Sequence, residues 1–253
     1  MIETKSLTKK YGNLTAISEL DLLVNTGEIF VFLGANGAGK TTTIKMLTGL
    51  LQPTSGTASI AGFDVVKSSL EVKKIIGYLP DEPFLYEKLT GREFLKFIAD
   101  VRGVQKKDRV EKFIELFELS QSADKLIEGY SLGMKKKIAI GAALIHDPKV
   151  LFLDEPTGGL DPKSAKTMKD LLLDIRQRGT TIFMTTHILE IAERMCDRVG
   201  IIDHGKLIRV GTIDELRKEA QSGSSLEDIF LELTGKTQDK EIAQFLDDVT
   251  NHY

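Results

Sequence analysis

Apolar residues come in short blocks over the opening of the chain, and the pattern predicts strands over Met1–Leu7, Ala16–Val24 and Glu28–Leu33. Gly12-Asn13 and Asn25-Thr26-Gly27 separate them as turns, which leaves Tyr11 on a loop. After Leu33 the apolar spacing lengthens, with Ile44, Met46 and Leu47 at helical intervals. Pro53-Thr54-Ser55-Gly56 reads as a turn, Thr57–Ile60 as a strand, Ala61-Gly62 as a second turn. A helix near Ser68–Lys74 and a strand over Ile75–Leu79 follow. The two prolines of Pro80-Asp81-Glu82-Pro83 forbid helix there and predict an extended segment.

From Thr90 to His146 the pattern is helical only. Thr90-Gly91-Arg92-Glu93 has the form of a capping box, and Lys112–Leu119 and Met134–Ile145 are amphipathic. A helical block between strands predicts a subdomain on one edge of an α/β domain. Strands resume at Val150–Leu153 and Thr181–Thr185, with a helix from Pro162 to about Arg178 between them and another to about Met195 after them. A hairpin from Val199 to Val210 turns at Asp203-His204-Gly205-Lys206. The remainder predicts helices over Ile213–Glu219, Ser225–Leu233 and Glu241–Asp248, with Gln221-Ser222-Gly223-Ser224 as a joint.

Length and composition add exclusions. At 253 residues, 42% hydrophobic and 28% charged, the chain suits one large α/β domain, or one domain with a smaller appendage, and can bury a sizeable core. A net charge of −3 supplies no basic excess to neutralise phosphates, so nucleic acid is not expected as a partner. The densest basic run, Lys135-Lys136-Lys137, reads as a solvated helix face. The single cysteine, Cys196, permits no internal disulfide and reads as a packing residue of a reducing compartment. The N-terminal residues lack the apolar core of a signal peptide, and no apolar run approaches the roughly 18 residues of a membrane helix. The expectation is a cytosolic chain that meets a membrane only through a partner.

The strongest chemical signal is Gly34-Ala35-Asn36-Gly37-Ala38-Gly39-Lys40-Thr41, which satisfies G-x-x-x-x-G-K-[ST] between a predicted strand and a predicted helix. Glycines let backbone N–H groups turn toward phosphate oxygens, and the helix that follows points its positive end at them. In that geometry Lys40 reaches the β- and γ-phosphates and the Thr41 hydroxyl takes Mg²⁺, with Thr42 beside it in the first helical turn. Asp154-Glu155 ends an apolar strand at the edge where open α/β sheets bind ligands. Asp154 is placed to hold Mg²⁺ and Glu155 to polarise an attacking water. His187 follows another buried strand and could hydrogen-bond the γ-phosphate. Tyr11 offers a flat aromatic face for an adenine ring.

Together these residues resemble the ATP-binding-cassette ATPases, from Ile2 to about Leu216. The resemblance implies an α/β P-loop NTPase core with a mainly parallel sheet, an N-terminal antiparallel β subdomain and an inserted helical subdomain over about 84–146, followed by a tail over 217–253. Tyr11 resembles the adenine-stacking aromatic. Tyr130-Ser131-Leu132-Gly133-Met134 is similar to the sequence with which such domains clamp a partner's ATP, and Gly159-Leu160-Asp161-Pro162 to the loop that couples the two sites of a dimer. Two departures stand out. Asp81 occupies a position where the family usually has a metal-binding Gln, which a carboxylate can still serve. In the clamp, Ser131 and Gly133 match while Leu132 and Met134 do not. The Tyr-led variant and the Leu226–Leu233 segment resemble the exporter branch with separately encoded membrane subunits. The implied protein is an Mg²⁺-dependent ATPase on the cytoplasmic face of the membrane, paired with an integral membrane subunit and a second ATP-binding subunit, identical or homologous. A soluble family ATPase with another partner, or a nucleotide-binding regulator, are the competing expectations.

Overall fold

A computed structural model describes residues 1–105, 108–219 and 225–234. Two sheets organise the chain. The first is antiparallel, with strands in the order β2-β1-β4-β5: β1 Ile2–Tyr11, β2 Leu14–Val24, β4 Ser55–Ile60 and β5 Phe63–Asp64. The second runs β10-β9-β3-β8-β7-β6, comprising β3 Ile29–Leu33, β6 Ile76–Leu79, β7 Val150–Asp154, β8 Thr181–Thr186, β9 Arg198–Asp203 and β10 Lys206–Gly211. All its pairings are parallel except β9 with β10.

The central strands are apolar without interruption because both of their faces are covered. Alternation of side chains then divides each one between two cores. Ile29, Val31, Leu151, Leu153, Ile182 and Met184 face helices α3 Gly91–Val101, α5 Leu132–Leu144, α6 Pro162–Gln177 and α7 Leu189–Met195. Phe30, Phe32, Phe152 and Phe183 point the other way, toward the antiparallel sheet, α1 Lys40–Leu47 and α2 Ser69–Ile75. Phe183 sits 5.6–5.7 Å, ring centre to ring centre, from the other three.

Several boundaries differ from expectation for local reasons. β1 runs on to Tyr11, which pairs with Leu14 across a two-residue Gly12-Asn13 turn, so Tyr11 ends a strand instead of lying on a loop. Gly56 belongs to β4, where its positive φ lets the strand pass Ser6; a Cβ there would lie 2.2 Å from the Ser6 carbonyl oxygen. Helix α4 is Asp108–Leu116, earlier than the apolar spacing indicated. The capping box is present: Thr90 N–H donates to Glu93 and Glu93 N–H donates to the Thr90 hydroxyl.

Two further helices, α8 Ile213–Glu219 and α9 Leu226–Thr234, close the described chain. Leu226 and Ile229 are buried in the helix-side core, while Glu227, Asp228 and Glu232 are exposed. The expected joint at Gln221–Ser224 and the helix over Glu241–Asp248 lie outside the described residues. Among the described residues no helix is long and apolar enough to cross a membrane. Cys196 is partly buried, and burial, with Asp197 beside it, pushes its thiol up to about 12.

His146, just past α5, carries a pH signature. Its Nε2–H donates to the Ile76 carbonyl at 2.9 Å, while its buried Nδ1 has no partner. Burial holds its pKa below the ordinary histidine value; Arg102 and Arg109 push the same way, against the Ile76 carbonyl and Asp147. The unfolded chain therefore takes up this proton first, and stability falls as pH drops below about 6.5. His146→Gln keeps a donor for Ile76 and is expected to flatten that part of the stability–pH curve. Denaturant titrations at pH 7.5 and 5.5 read the difference; equal acid losses in both proteins would refute it.

Candidate nucleotide-binding site

The loop between β3 and α1 is shaped by positions that admit only glycine. A Cβ on Gly34 would come within 2.5 Å of the Ile202 carbonyl oxygen. Gly39 caps α1 at φ +108°, and a Cβ there would lie 2.8 Å from the Ala16 carbonyl oxygen. The first helical bond runs from Thr43 N–H to the Gly39 carbonyl, so the amides of Lys40, Thr41 and Thr42 have no acceptor within the helix. They form the positive end of α1. Ala35, Asn36, Gly37 and Thr41 are exposed; Ala38 and Lys40 are buried. The Lys40 ammonium donates to the Gly34 and Ala35 carbonyls at 2.7 and 3.1 Å and lies 3.7 Å from Glu155 Oε1. Burial pushes its pKa below the ordinary lysine value, opposed first by Glu155 and then by Asp154.

Asp154 ends β7 and is buried, with one carboxylate oxygen accepting from the Thr185 hydroxyl on β8. Glu155 follows with φ +48°, a left-handed backbone that costs a non-glycine residue about 1–3 kcal/mol. That turn takes its side chain out of the strand line, and its N–H still donates to the Thr185 carbonyl at 3.2 Å. Glu155 Oε1 lies 2.9 Å from His187 Nδ1. The adjacency of β3, β8 and β7 thus gathers Lys40, Glu155 and His187 into one contact group at the carboxyl ends of parallel strands, with Asp154 beside them. Tyr11, 48% exposed, stands at the hairpin whose returning strand β2 passes Gly39 at Ala16 and Ile17.

For a metal the chain offers hard oxygens, the Thr41 hydroxyl and the Asp154 carboxylate. No group of three His, Cys, Asp or Glu able to hold an ion exists among the described residues. That donor set suits Mg²⁺, which takes most of its ligands from substrate phosphates and water. Asp81, on the segment after β6, is half-exposed and has one oxygen 3.3 Å from Lys136 Nζ.

The residues expected to form the clamp meet the Gly159–Pro162 loop within one chain. Ser131 caps α5 and accepts from Met134 N–H at 3.3 Å. Gly133 packs so closely that a Cβ would lie 3.2 Å from the Gly159 carbonyl oxygen. Asp161 caps α6, accepting from Ser164, whose hydrogen bonds hold its pKa below the usual carboxylate range; Lys137 lies 3.8 Å away.

The basic run is not a solvated face. Lys136 is 1% exposed and donates to the carbonyls of Glu155 and Gly158 at 2.8 and 2.9 Å, while Lys135 pairs with Glu87. The signal was present in the helical spacing: Lys136 shares a stripe with the buried Ile140, Ala143 and Leu144.

The fold and the loop define a P-loop nucleotide-binding protein. The sequence family described as ABC transporter matches residues 17–158. The bacitracin transport ATP-binding protein BcrA of Bacillus licheniformis is 43% identical over 219 residues, 86% of this chain and 72% of that one. A solved ATP-binding subunit of an ABC transporter superposes with a TM-score of 0.87 at 32% identity, covering 92% of this chain and 99% of that chain. A dimeric ATP-binding cassette in a post-hydrolysis state, bound to ADP and Pi, superposes with a TM-score of 0.77 at 25% identity, covering 84% and 98%. The chain belongs to the ABC transporter family and is one of its ATP-binding, ATP-hydrolysing domains.

Proposed function

We propose that this chain is the ATPase subunit of a membrane exporter, with 1–216 as the ATPase domain, a helical insertion over 84–146 and a tail over 217–253. The observation that carries the chemistry is the contact group in which Glu155 Oε1 lies 2.9 Å from His187 and 3.7 Å from Lys40. Lys40 and the amides opening α1 hold the β- and γ-phosphates, and Tyr11 stacks on adenine. Thr41 and Asp154 would hold Mg²⁺, which would neutralise phosphate charge; Asp81 is a further candidate ligand. His187 donates from Nδ1 to Glu155 and keeps its carboxylate facing the γ-phosphate. Glu155 then accepts a proton from the attacking water.

Ser131, Gly133 and Met134 of a second ATP-binding subunit close over the γ-phosphate, with Asp161 joining the two sites. Phosphate charge shared across that interface holds it shut, and hydrolysis releases it. The dimeric post-hydrolysis cassette supports this assembly. Export is inferred from the Tyr130-led clamp and from the relative named for bacitracin transport.

The membrane subunit docks in a groove of about 950 Å³ between β6 and the helical block, lined by Tyr78, Pro83, Phe84, Phe94 and Ile98. Phe84 is 95% exposed, an apolar surface suited to a short amphipathic helix. Phe84→Asp is expected to cut co-purification of the subunit with detergent-solubilised membranes at least tenfold without lowering the melting temperature, since about 2 kcal/mol of apolar burial is lost. Undiminished co-purification would rule this groove out as the docking site.

A further inference from the structure

We propose that Lys136 is a positioning residue that fixes the Glu155 loop and ties it to the rim of the docking groove through Asp81. An ammonium has three donors, and here each meets an acceptor: the Glu155 carbonyl at 2.8 Å, the Gly158 carbonyl at 2.9 Å and Asp81 Oδ1 at 3.3 Å. The three acceptors come from two separate segments, while the donor stands on α5 five positions beyond Ser131. A compact charge with three rotatable donors on a long stem can join them.

Two consequences follow from where the acceptors lie. Glu155 holds a left-handed backbone, so its side-chain direction depends on the setting of the peptide planes around it. Lys136 anchors one of those planes through the Glu155 carbonyl and the other end of the turn through Gly158. The paired carboxylate, Asp81, is on the Pro80–Pro83 segment, and both of those prolines line the groove. Lys136 is 1% exposed and Asp81 about half exposed, so a movement of the groove rim changes how well a buried cation is compensated. An acid at 81 has a purpose in this setting: it is the counter-ion of Lys136.

The proposal rests on the ATPase reading and is tested on the full chain with Lys136→Met, Asp81→Asn, Asp81→Glu and the double variant Lys136→Met/Asp81→Asn. Lys136→Met is expected to lower kcat about tenfold or more while the Kd for a fluorescent ATP analogue changes less than about twofold, a transition-state effect without a binding effect. Asp81→Asn is expected to lower kcat by a smaller factor and Asp81→Glu to restore it. The double variant should be no slower than Lys136→Met alone, because Asp81 then has no cation to compensate. Multiplying effects would overturn the proposal, since a metal-binding Asp81 would keep its cost without Lys136. A kcat for Lys136→Met within about twofold of the unaltered chain would overturn it too. If Lys136→Met does not fold, Asp81→Asn and its Glu rescue decide. If the unaltered chain binds ATP without hydrolysing it, the ATPase reading alone fails. Backbone amide NMR then decides: shifts at Glu155 and Gly158 on Asp81→Asn support the positioning role, and unmoved resonances refute it.

Discussion

Glu155→Gln is expected to slow ATP turnover by about two to four orders of magnitude, the range lost when a positioned general base is removed. The substitution is nearly isosteric. A glutamine can still accept from His187 Nδ1–H across the 2.9 Å contact, so the local geometry persists, but an amide takes no proton from water. Binding is left to the α1 amides and to Lys40, which loses the charge of its Glu155 neighbour but keeps its two loop carbonyl acceptors. ATP-bound chains should therefore accumulate in the closed pair. Size-exclusion chromatography with light scattering, with and without Mg-ATP, reads this directly: monomer without nucleotide, dimer with it. A protein that binds ATP yet stays monomeric would sink the self-paired sandwich and point to a different cassette as the other half.

The second large effect belongs to Lys40. Replacing it by Met is expected to weaken ATP binding by about 10- to 100-fold, since charge-assisted hydrogen bonds contribute roughly 1.5–3 kcal/mol and each 1.4 kcal/mol is tenfold. Stability should change little. The side chain is 7% exposed, its ammonium satisfied by two loop carbonyls and by Glu155, and burial already works against its charge. A methionine fills the same space without that desolvation. Titration with a fluorescent nucleotide, paired with thermal melting, separates the two quantities. Unchanged affinity in a folded variant would refute the assignment of the phosphate loop.

Much of this molecule is written locally. The uninterrupted apolar runs of β3, β7 and β8 mark buried strands because only a doubly covered sheet tolerates them. The capping box at Thr90 and the positive φ of Gly37 and Gly39 are local geometry, since a cap and a turn depend on neighbours within a few positions. Even the placing of Asp154 and His187 at the carboxyl ends of buried strands was legible, because each closely follows an apolar run. Tyr11 was misplaced because a two-residue turn can extend a strand beyond its apolar pattern, and Lys136 because a charge run was weighed by composition instead of by helical face.

Sequence by itself determined the class of fold and the places of Gly34–Thr41 and Asp154-Glu155 at the ends of buried strands, because periodicity and turn chemistry act over one to four residues. Only the tertiary structure decided that β8 separates β3 from β7, so that His187 and Lys40 reach the same carboxylate. Only it decided that Asp81 and Lys136, 55 positions apart, are partners. Burial converts such a lysine from a solvated charge into a fixed link, and burial is a property of the packed chain as a whole.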